Sequence, residues 1–303
     1  MADLRVTIAG VPFENPLIAA SGTFGFGHEY QEFYPLSTLG GISCKGITLK
    51  ERPGNPPPRI AEAPGGMLNA VGLQNPGVDH FIEHDLPWLK QQGTVVIANI
   101  AGNTPEDYCA MAEKLSDTDV DMIELNISCP NVKQGGVQFG TSCAGVGGIT
   151  EAVRKYCKKP LMVKLSPNVA DIGEIAAAAE AAGADAISMI NTLTGMRIDI
   201  RTRRPIIRNN TGGMSGPALL PIAVRMVWQA SQRVKIPIVG MGGISKWEDA
   251  VEMMLAGASA LQIGTVFFTD PYAPVKILDG LNRYLDERNI KSVTELTGGI
   301  QPW

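Results

Sequence analysis

An α/β chain folded as a (β/α)8 TIM barrel is what three observations predict. Eight short apolar runs recur along the 303 residues. They are continuous rather than alternating, as suits parallel strands buried on both faces. Stretches of helical periodicity separate them, and about 250 residues is a usual size for eight strand–helix units. A doubly wound open sheet is the alternative built from the same units.

The chain opens differently. Leu4, Val6 and Ile8 alternate until Gly10 breaks the run, which predicts a β-hairpin ahead of the barrel. The eight buried strands follow at 17–20, 41–45, 95–99, 122–127, 161–165, 186–190, 236–240 and 260–264. Helices are predicted at 80–90, from Pro105, at 148–157, from Asp171 to Gly183, at 217–232, from Ser245 to Gly257 and at 272–287. Thr104 before Pro105, with acids at 106 and 107, reads as an N-cap, and Asp171 with Glu174 and Ser245 with Glu248 read as capping boxes. Excursions interrupt the repeat after strand 2 (50–76), strand 4 (131–141) and strand 6 (193–215). The first is rich in Pro and Gly without clear periodicity. Glycines 135, 136 and 140 in the second suggest a hinged cover over a substrate. All of 1–303 is read as one domain.

Composition excludes several function classes. Net charge is −4, so no basic field exists to hold a nucleic-acid backbone. No apolar run reaches the length of a membrane span, and the N-terminus does not read as a signal peptide, so the expectation is a cytoplasmic protein. The five Cys are odd in number and lack C-x-x-C spacing, which argues against disulfides, a zinc ribbon and an iron–sulfur cluster. Cys44, Cys109, Cys143 and Cys157 read as small buried hydrophobes or surface thiols. His80 and His84 lie at i, i+4 spacing, but no third ligand accompanies them; an exposed helix face is the reading, and no metal is expected.

Chemistry in a barrel sits at the C-terminal ends of the strands. Those ends carry Ser21, Lys45, Asn99, Asn126, Lys164, Asn191 with Thr192, Gly242 with Gly243, and Gly264 with Thr265. The rim is rich in amides and has neither paired carboxylates nor a His, so hydrolysis by two acids or by a His-activated serine does not fit. The Gly-rich turns after strands 7 and 8, with Gly216 before a helix, suit a phosphate held on backbone amides. A phosphate site with a ring of Asn and Lys suits FMN, whose pyrimidine edge needs both donors and acceptors. Lys164 is the candidate to stabilise the reduced ring; a salt-bridged buried Lys or a Schiff-base Lys remain open. Cys129 differs from the other thiols. It lies in a loop at the rim before Pro130, where a thiolate can serve as general base or as nucleophile.

Asn126-Ile-Ser-Cys-Pro-Asn131, Ala19-Ala-Ser-Gly-Thr23, Lys45-Gly46, Asn69-Ala-Val-Gly-Leu73, Lys164 and Gly242-Gly243 together resemble class 1 dihydroorotate dehydrogenases over essentially the whole chain. The resemblance implies oxidation of dihydroorotate to orotate in pyrimidine (UMP) biosynthesis. It implies Cys129 as the base that removes the C5 proton, with the C6 hydride passing to FMN. Substrate would be held by Lys45, Asn69, Asn126, Asn191 and Thr192. Ala70, Val71, Gly72 and Leu73 complete the substrate loop, the amides of the last three receiving the carboxylate. FMN would be held by Ser21, Lys45, Gly46, Asn99, Asn126, Lys164, Ile190, Gly216, Gly242, Gly243, Gly264 and Thr265. The stretches 22–27 and 132–136 resemble the NAD-linked class 1B branch. That branch implies a homodimer core flanked by two partner subunits carrying FAD and a 2Fe-2S cluster, a heterotetramer. This chain has no cluster ligands and no dinucleotide fingerprint of its own.

Competing readings are the fumarate-using class 1A, a dihydropyrimidine dehydrogenase-like flavin subunit, a tRNA-dihydrouridine synthase disfavoured by the acidic charge, a flavin-free aldolase barrel using Lys164, and a barrel kept only as a scaffold. Arg197, Arg201, Arg203, Arg204 and Arg208 read as a solvated loop, a salt-bridged interface or a partner-docking surface.

Overall fold

The computed structural model describes residues 2–128 and 139–303. Strands β1 (Val6–Ile8) and β2 (Val11–Phe13) form the expected hairpin, with Val6 opposite Phe13. Ala9 and Gly10 turn it in the left-handed region, at φ of 50° and 82°. The first barrel strands are β3 (Leu17–Ala19) and β4 (Gly41–Ser43). The first excursion supplies β5 (Ile60–Ala63) and β6 (Gly66–Asn69). The barrel continues with β7 (Val95–Ile100), β8 (Met122–Asn126), β9 (Leu161–Lys164) and β10 (Ala186–Met189). The last excursion holds β11 (Leu193–Gly195), β12 (Ile198–Asp199), β13 (Arg204–Pro205) and β14 (Gly212–Ser215). Strands β15 (Ile238–Met241) and β16 (Ala260–Ile263) complete the barrel.

The eight barrel strands close in the order β3, β4, β7, β8, β9, β10, β15, β16 and back to β3, all neighbours parallel. This is the (β/α)8 barrel the apolar runs predict. Apart from half-buried Val95, every residue in these strands is buried. That two-sided burial is why the runs do not alternate. The helical ring packs on the outside and shares one continuous apolar core with the strands.

Local signals place most helices. Thr104 caps Pro105–Ser116 as expected, and a reciprocal bond makes it a capping box: its side chain accepts from Asp107 N at 3.3 Å, and Asp107 Oδ2 accepts from Thr104 N. Three details differ. The helix expected at 148–157 runs Cys143–Arg154, capped by Ser142, because its glycines blur the periodicity of the first turns. Asp171 caps Ile172–Ala181 through Gly173 N and Glu174 N without a reciprocal bond from Glu174. At Trp247–Leu255 the capping acid is Asp249 rather than Glu248: its Oδ2 accepts from Ser245 N, Ser245 Oγ and Lys246 N.

The excursions after strands 2 and 6 meet. They form one antiparallel sheet in the order β11-β14-β6-β5, with Gly213 opposite Asn69. Arg197 adds a tie by donating from Nη1 to Glu62 O at 2.7 Å. Sequence periodicity misses this sheet because its strands are short and their partners lie far away along the chain. The expected excursion after strand 4 falls largely on residues 129–138, outside the described residues.

The Thr104 cap gives a stability prediction. Thr104→Ala is expected to cost about 1 kcal/mol, or roughly 2–4 °C in the thermal midpoint at this chain size. Differential scanning calorimetry of the two proteins checks it.

Candidate active site

The third residue of four barrel strands is polar: Ser43, Glu124, Ser188 and Gln262. The strands are the second, fourth, sixth and eighth around the barrel, so these side chains form one interior layer of alternate strands. Glu124 is wholly buried at its centre. Its Oε1 accepts from Ser188 Oγ at 2.6 Å and Gln262 Nε2 at 2.8 Å. Its Oε2 accepts from Ser43 Oγ at 2.6 Å and Asn99 Nδ2 at 2.5 Å. Burial alone pushes this carboxyl up. The field of Lys164 and the bonds from Ser188, Ser43 and Asn99 outweigh it, and hold the group below the ordinary carboxylate range. The carboxylate is therefore ionised at neutral pH, at the floor of the rim.

Above that floor the expected amides come together. Asn126 Nδ2 donates to Asn99 Oδ1 at 3.2 Å. Asn126 Oδ1 accepts from Ser128 Oγ at 3.1 Å, and Ser128 Oγ accepts from Asn191 Nδ2 at 2.7 Å. Asn191 Oδ1 receives Thr192 N at 2.8 Å. Tyr108, fully buried behind the strand, donates from its hydroxyl to Asn126 O at 2.9 Å and fixes that strand end. Lys164 pairs in register with Asn126 and Ser188, and is 4% exposed.

The remaining predicted residues stand at the ends of other barrel strands and in the two excursions. Gly46 sits where an added Cβ would meet Asn99 Oδ1 and Leu73 at 3.1 Å and Ser21 Oγ at 4.0 Å, so four predicted positions converge there. Lys45 is half-buried beside it. Asn69 reaches the rim through the small sheet, donating to Gly213 O at 3.4 Å. Thr192 crowds the same glycine, where a Cβ would lie 1.9 Å from its Oγ1. The Ala70–Leu73 loop is held by Asn55, whose N donates to Val71 O and whose Nδ2 donates to Ala70 O, both at 2.9 Å. Gly72 and Leu73 are both left-handed, at φ of 78° and 58°, a conformation Leu rarely adopts. Gly216, Gly242 and Gly243 also have positive φ. A Cβ on Gly243 would come within 2.5 Å of Leu220 N, at the start of the helix Leu220–Ser231. Ile190 packs beside Gly242, and Gly264 beside Ala20, with Thr265 opening the turn that follows. Cys129 lies outside the described residues.

Sequence reasoning passes over Glu124, Ser43, Ser188, Gln262 and Ser128. The available signal is a carboxylate inside an apolar strand, which burial makes costly unless it is paired. Of the other thiols, Cys44 and Cys157 are buried, Cys109 is half-buried and Cys143 is exposed, and burial pushes the first three upward. His80 Nδ1 lies 3.3 Å from Asp85 Oδ2, and no group of three or more metal-binding side chains occurs among the described residues.

The fold and rim define a (β/α)8 barrel with a polar site of amides, one buried ammonium and left-handed glycine turns. The sequence profile described as "Dihydroorotate dehydrogenase" matches residues 3–285. A protein of Parabacteroides distasonis named "Dihydroorotate dehydrogenase B (NAD(+)), catalytic subunit" is 56% identical, covering 99% of both chains. Relatives of the same name from Alkaliphilus oremlandii and Petrotoga mobilis are 55% and 52% identical, each covering at least 98% of both chains. The chain belongs to the dihydroorotate dehydrogenase family. No helix among the described residues is long and apolar enough to cross a membrane.

Glu124 gives the site a pH dependence with a defined sign. A carboxylate whose folded value is depressed stabilises the fold above its unfolded value of about 4.3, and the contribution is lost as pH falls through the folded value. Between about pH 5 and 3, the thermal midpoint of the parent is therefore expected to fall more steeply than that of Glu124→Gln. Parallel curves in thermal scans across that range would contradict it.

Proposed function

We propose that this chain is the catalytic subunit of an NAD-linked dihydroorotate dehydrogenase. It oxidises dihydroorotate to orotate in pyrimidine biosynthesis, holds FMN, and hands electrons to a separate subunit carrying FAD and a 2Fe-2S cluster. The observation that carries the reading is the joined rim of Asn99, Asn126, Ser128 and Asn191, with buried Lys164 in register beside Asn126, in a chain at least half identical to relatives of that name along nearly its full length. All 303 residues serve as one FMN-binding domain in this reading. The assembly is a heterotetramer around a homodimer, and its location is cytoplasmic, which an odd number of cysteines without disulfide spacing suits.

Two observations support a fit to FMN. Lys164 is buried with its charge at the rim, the donor wanted beside a ring that becomes anionic on reduction. The left-handed glycines 216, 242 and 243 leave backbone beside a helix start without side chains over it, as a phosphate needs. Ser21, Lys45, Gly46, Asn99, Asn126, Ile190, Gly264 and Thr265 complete the cofactor set. Bound FMN supplies the two-electron acceptor for the hydride that leaves C6 of dihydroorotate.

The chain's own groups do the rest. Asn69, Asn126, Asn191 and Thr192, with Lys45, orient the pyrimidine through paired donors and acceptors. The turned amides of Val71, Gly72 and Leu73, in the loop after Ala70, receive the carboxylate. Cys129 takes the C5 proton on sulfur as the C5–C6 double bond forms. Nothing in this scheme calls for a metal.

Mixed anaerobically with dihydroorotate, the purified yellow chain is expected to bleach without any partner. Cys129→Ala should slow that step by on the order of 10²-fold or more while leaving orotate binding in place. A yellow protein that stays oxidised would assign another substrate, with dihydrouracil the next to try. The NAD link has its own test. The chain alone should not reduce NAD at a useful rate, and adding the FAD/iron–sulfur subunit should restore turnover; rapid turnover with fumarate alone would favour the class 1A reading.

A further inference from the structure

Each rim asparagine carries one end that donates and one that accepts, and amides can turn over. The bonds at this rim run in one direction. Thr192 N donates to Asn191, Asn191 to Ser128, Ser128 to Asn126, Asn126 to Asn99, and Asn99 to Glu124. The series starts at a backbone N–H, which can only donate. It ends at Glu124, which when ionised can only accept. The middle members are reversible: a hydroxyl rotates and an amide flips. Their common sense is fixed by the two ends and, at Asn126, also by Ser128 N, which donates to Asn126 Oδ1 at 3.4 Å.

We propose that Glu124 is a positioning residue that holds the acceptor end of this series, and so sets which end of its amide Asn99 turns toward a bound planar heterocycle. The inference deepens the reading of the rim as an FMN and dihydroorotate site and rests on it. Glu124 lies below the rim and touches it through Asn99; its other bonds, to Ser43, Ser188 and Gln262, anchor it to three further strands. It is fully buried, so bulk solvent does not stand in for it as an acceptor.

The neighbouring Gln262 makes the idea testable. Gln262 Oε1 is buried and has no partner among the described residues. In the Glu124→Gln variant, the introduced N–H2 can face Gln262, which turns its idle oxygen to accept. The oxygen of the introduced amide then still faces Asn99, and the direction of the series survives although the charge is gone. The Glu124→Met variant has a similar reach but no acceptor, so Asn99 loses its partner. The two variants separate amide direction from charge.

The experiment is titration of the FMN-loaded protein with orotate, followed by the visible flavin bands, alongside thermal midpoints. Glu124→Gln should keep orotate affinity within about threefold of the parent, and Glu124→Met should lose about tenfold or more. Equal losses in the two variants, or an unchanged Glu124→Met variant, would overturn the proposal. If Glu124→Met does not fold, the double variant combining Glu124→Gln with Gln262→Met puts the same question. It removes the acceptor on the eighth strand and drives the introduced N–H2 toward Asn99. Each single change should then be mild and the pair lose about tenfold; additive losses would overturn the proposal. A parent that bleaches with dihydroorotate but shows no such pattern sinks this inference alone. A parent that binds no orotate sinks the functional reading and this inference with it.

Discussion

A single buried carboxylate organises the interior of this barrel. Glu124 accepts four side-chain hydrogen bonds from four different strands and lies in the field of Lys164. An ionised group so deeply buried is tolerable only when every acceptor site is used and an opposite charge is near. Ser43, Asn99, Ser188 and Gln262 meet the first condition and Lys164 helps to meet the second. The layer that in most barrels is filled by branched apolar residues is here a polar plate. The plate forms the floor on which the amide-lined rim stands.

The rim inherits its order from that floor. Asn126 lies two residues beyond Glu124 on the same inward face of one strand, while Asn99 is paired in register with Glu124 on the next. Barrel register therefore places Asn99 beside the carboxylate and Asn126 above it, and hydrogen bonds then link the two amides to Ser128 and Asn191. A one-residue slip of either strand would turn the polar side chains out toward the helices, so the layer and the register support each other.

The substrate side depends on a second device. The excursions after strands 2 and 6 are separated by more than a hundred residues, yet they pair as one sheet in which Asn69 lies opposite Gly213. The close approach of Thr192 to Gly213 leaves no room for a side chain there. Asn69 and Thr192 are thus brought to one edge by backbone pairing. Asn55 then holds the following loop through Ala70 and Val71 while Gly72 and Leu73 take left-handed turns.

The amino-acid sequence by itself determined the architecture, because continuous burial of parallel strands writes continuous apolar runs and barrel chemistry gathers at strand ends. It also determined which amides, lysines and glycines stand at the rim, and motif resemblance pointed to the family. The Thr104 cap was legible from the residue before Pro105, whereas the box acid after Ser245 was misassigned to Glu248 because Asp249 stands beside it. Only the tertiary structure decided that the two excursions form one sheet, since short strands carry no record of a distant partner. Only it revealed the polar plate. Ser43, Glu124, Ser188 and Gln262 are far apart along the chain, and each alone reads as one odd residue in an apolar run. Their meaning comes from the closure of the barrel, which brings four strands around one carboxylate.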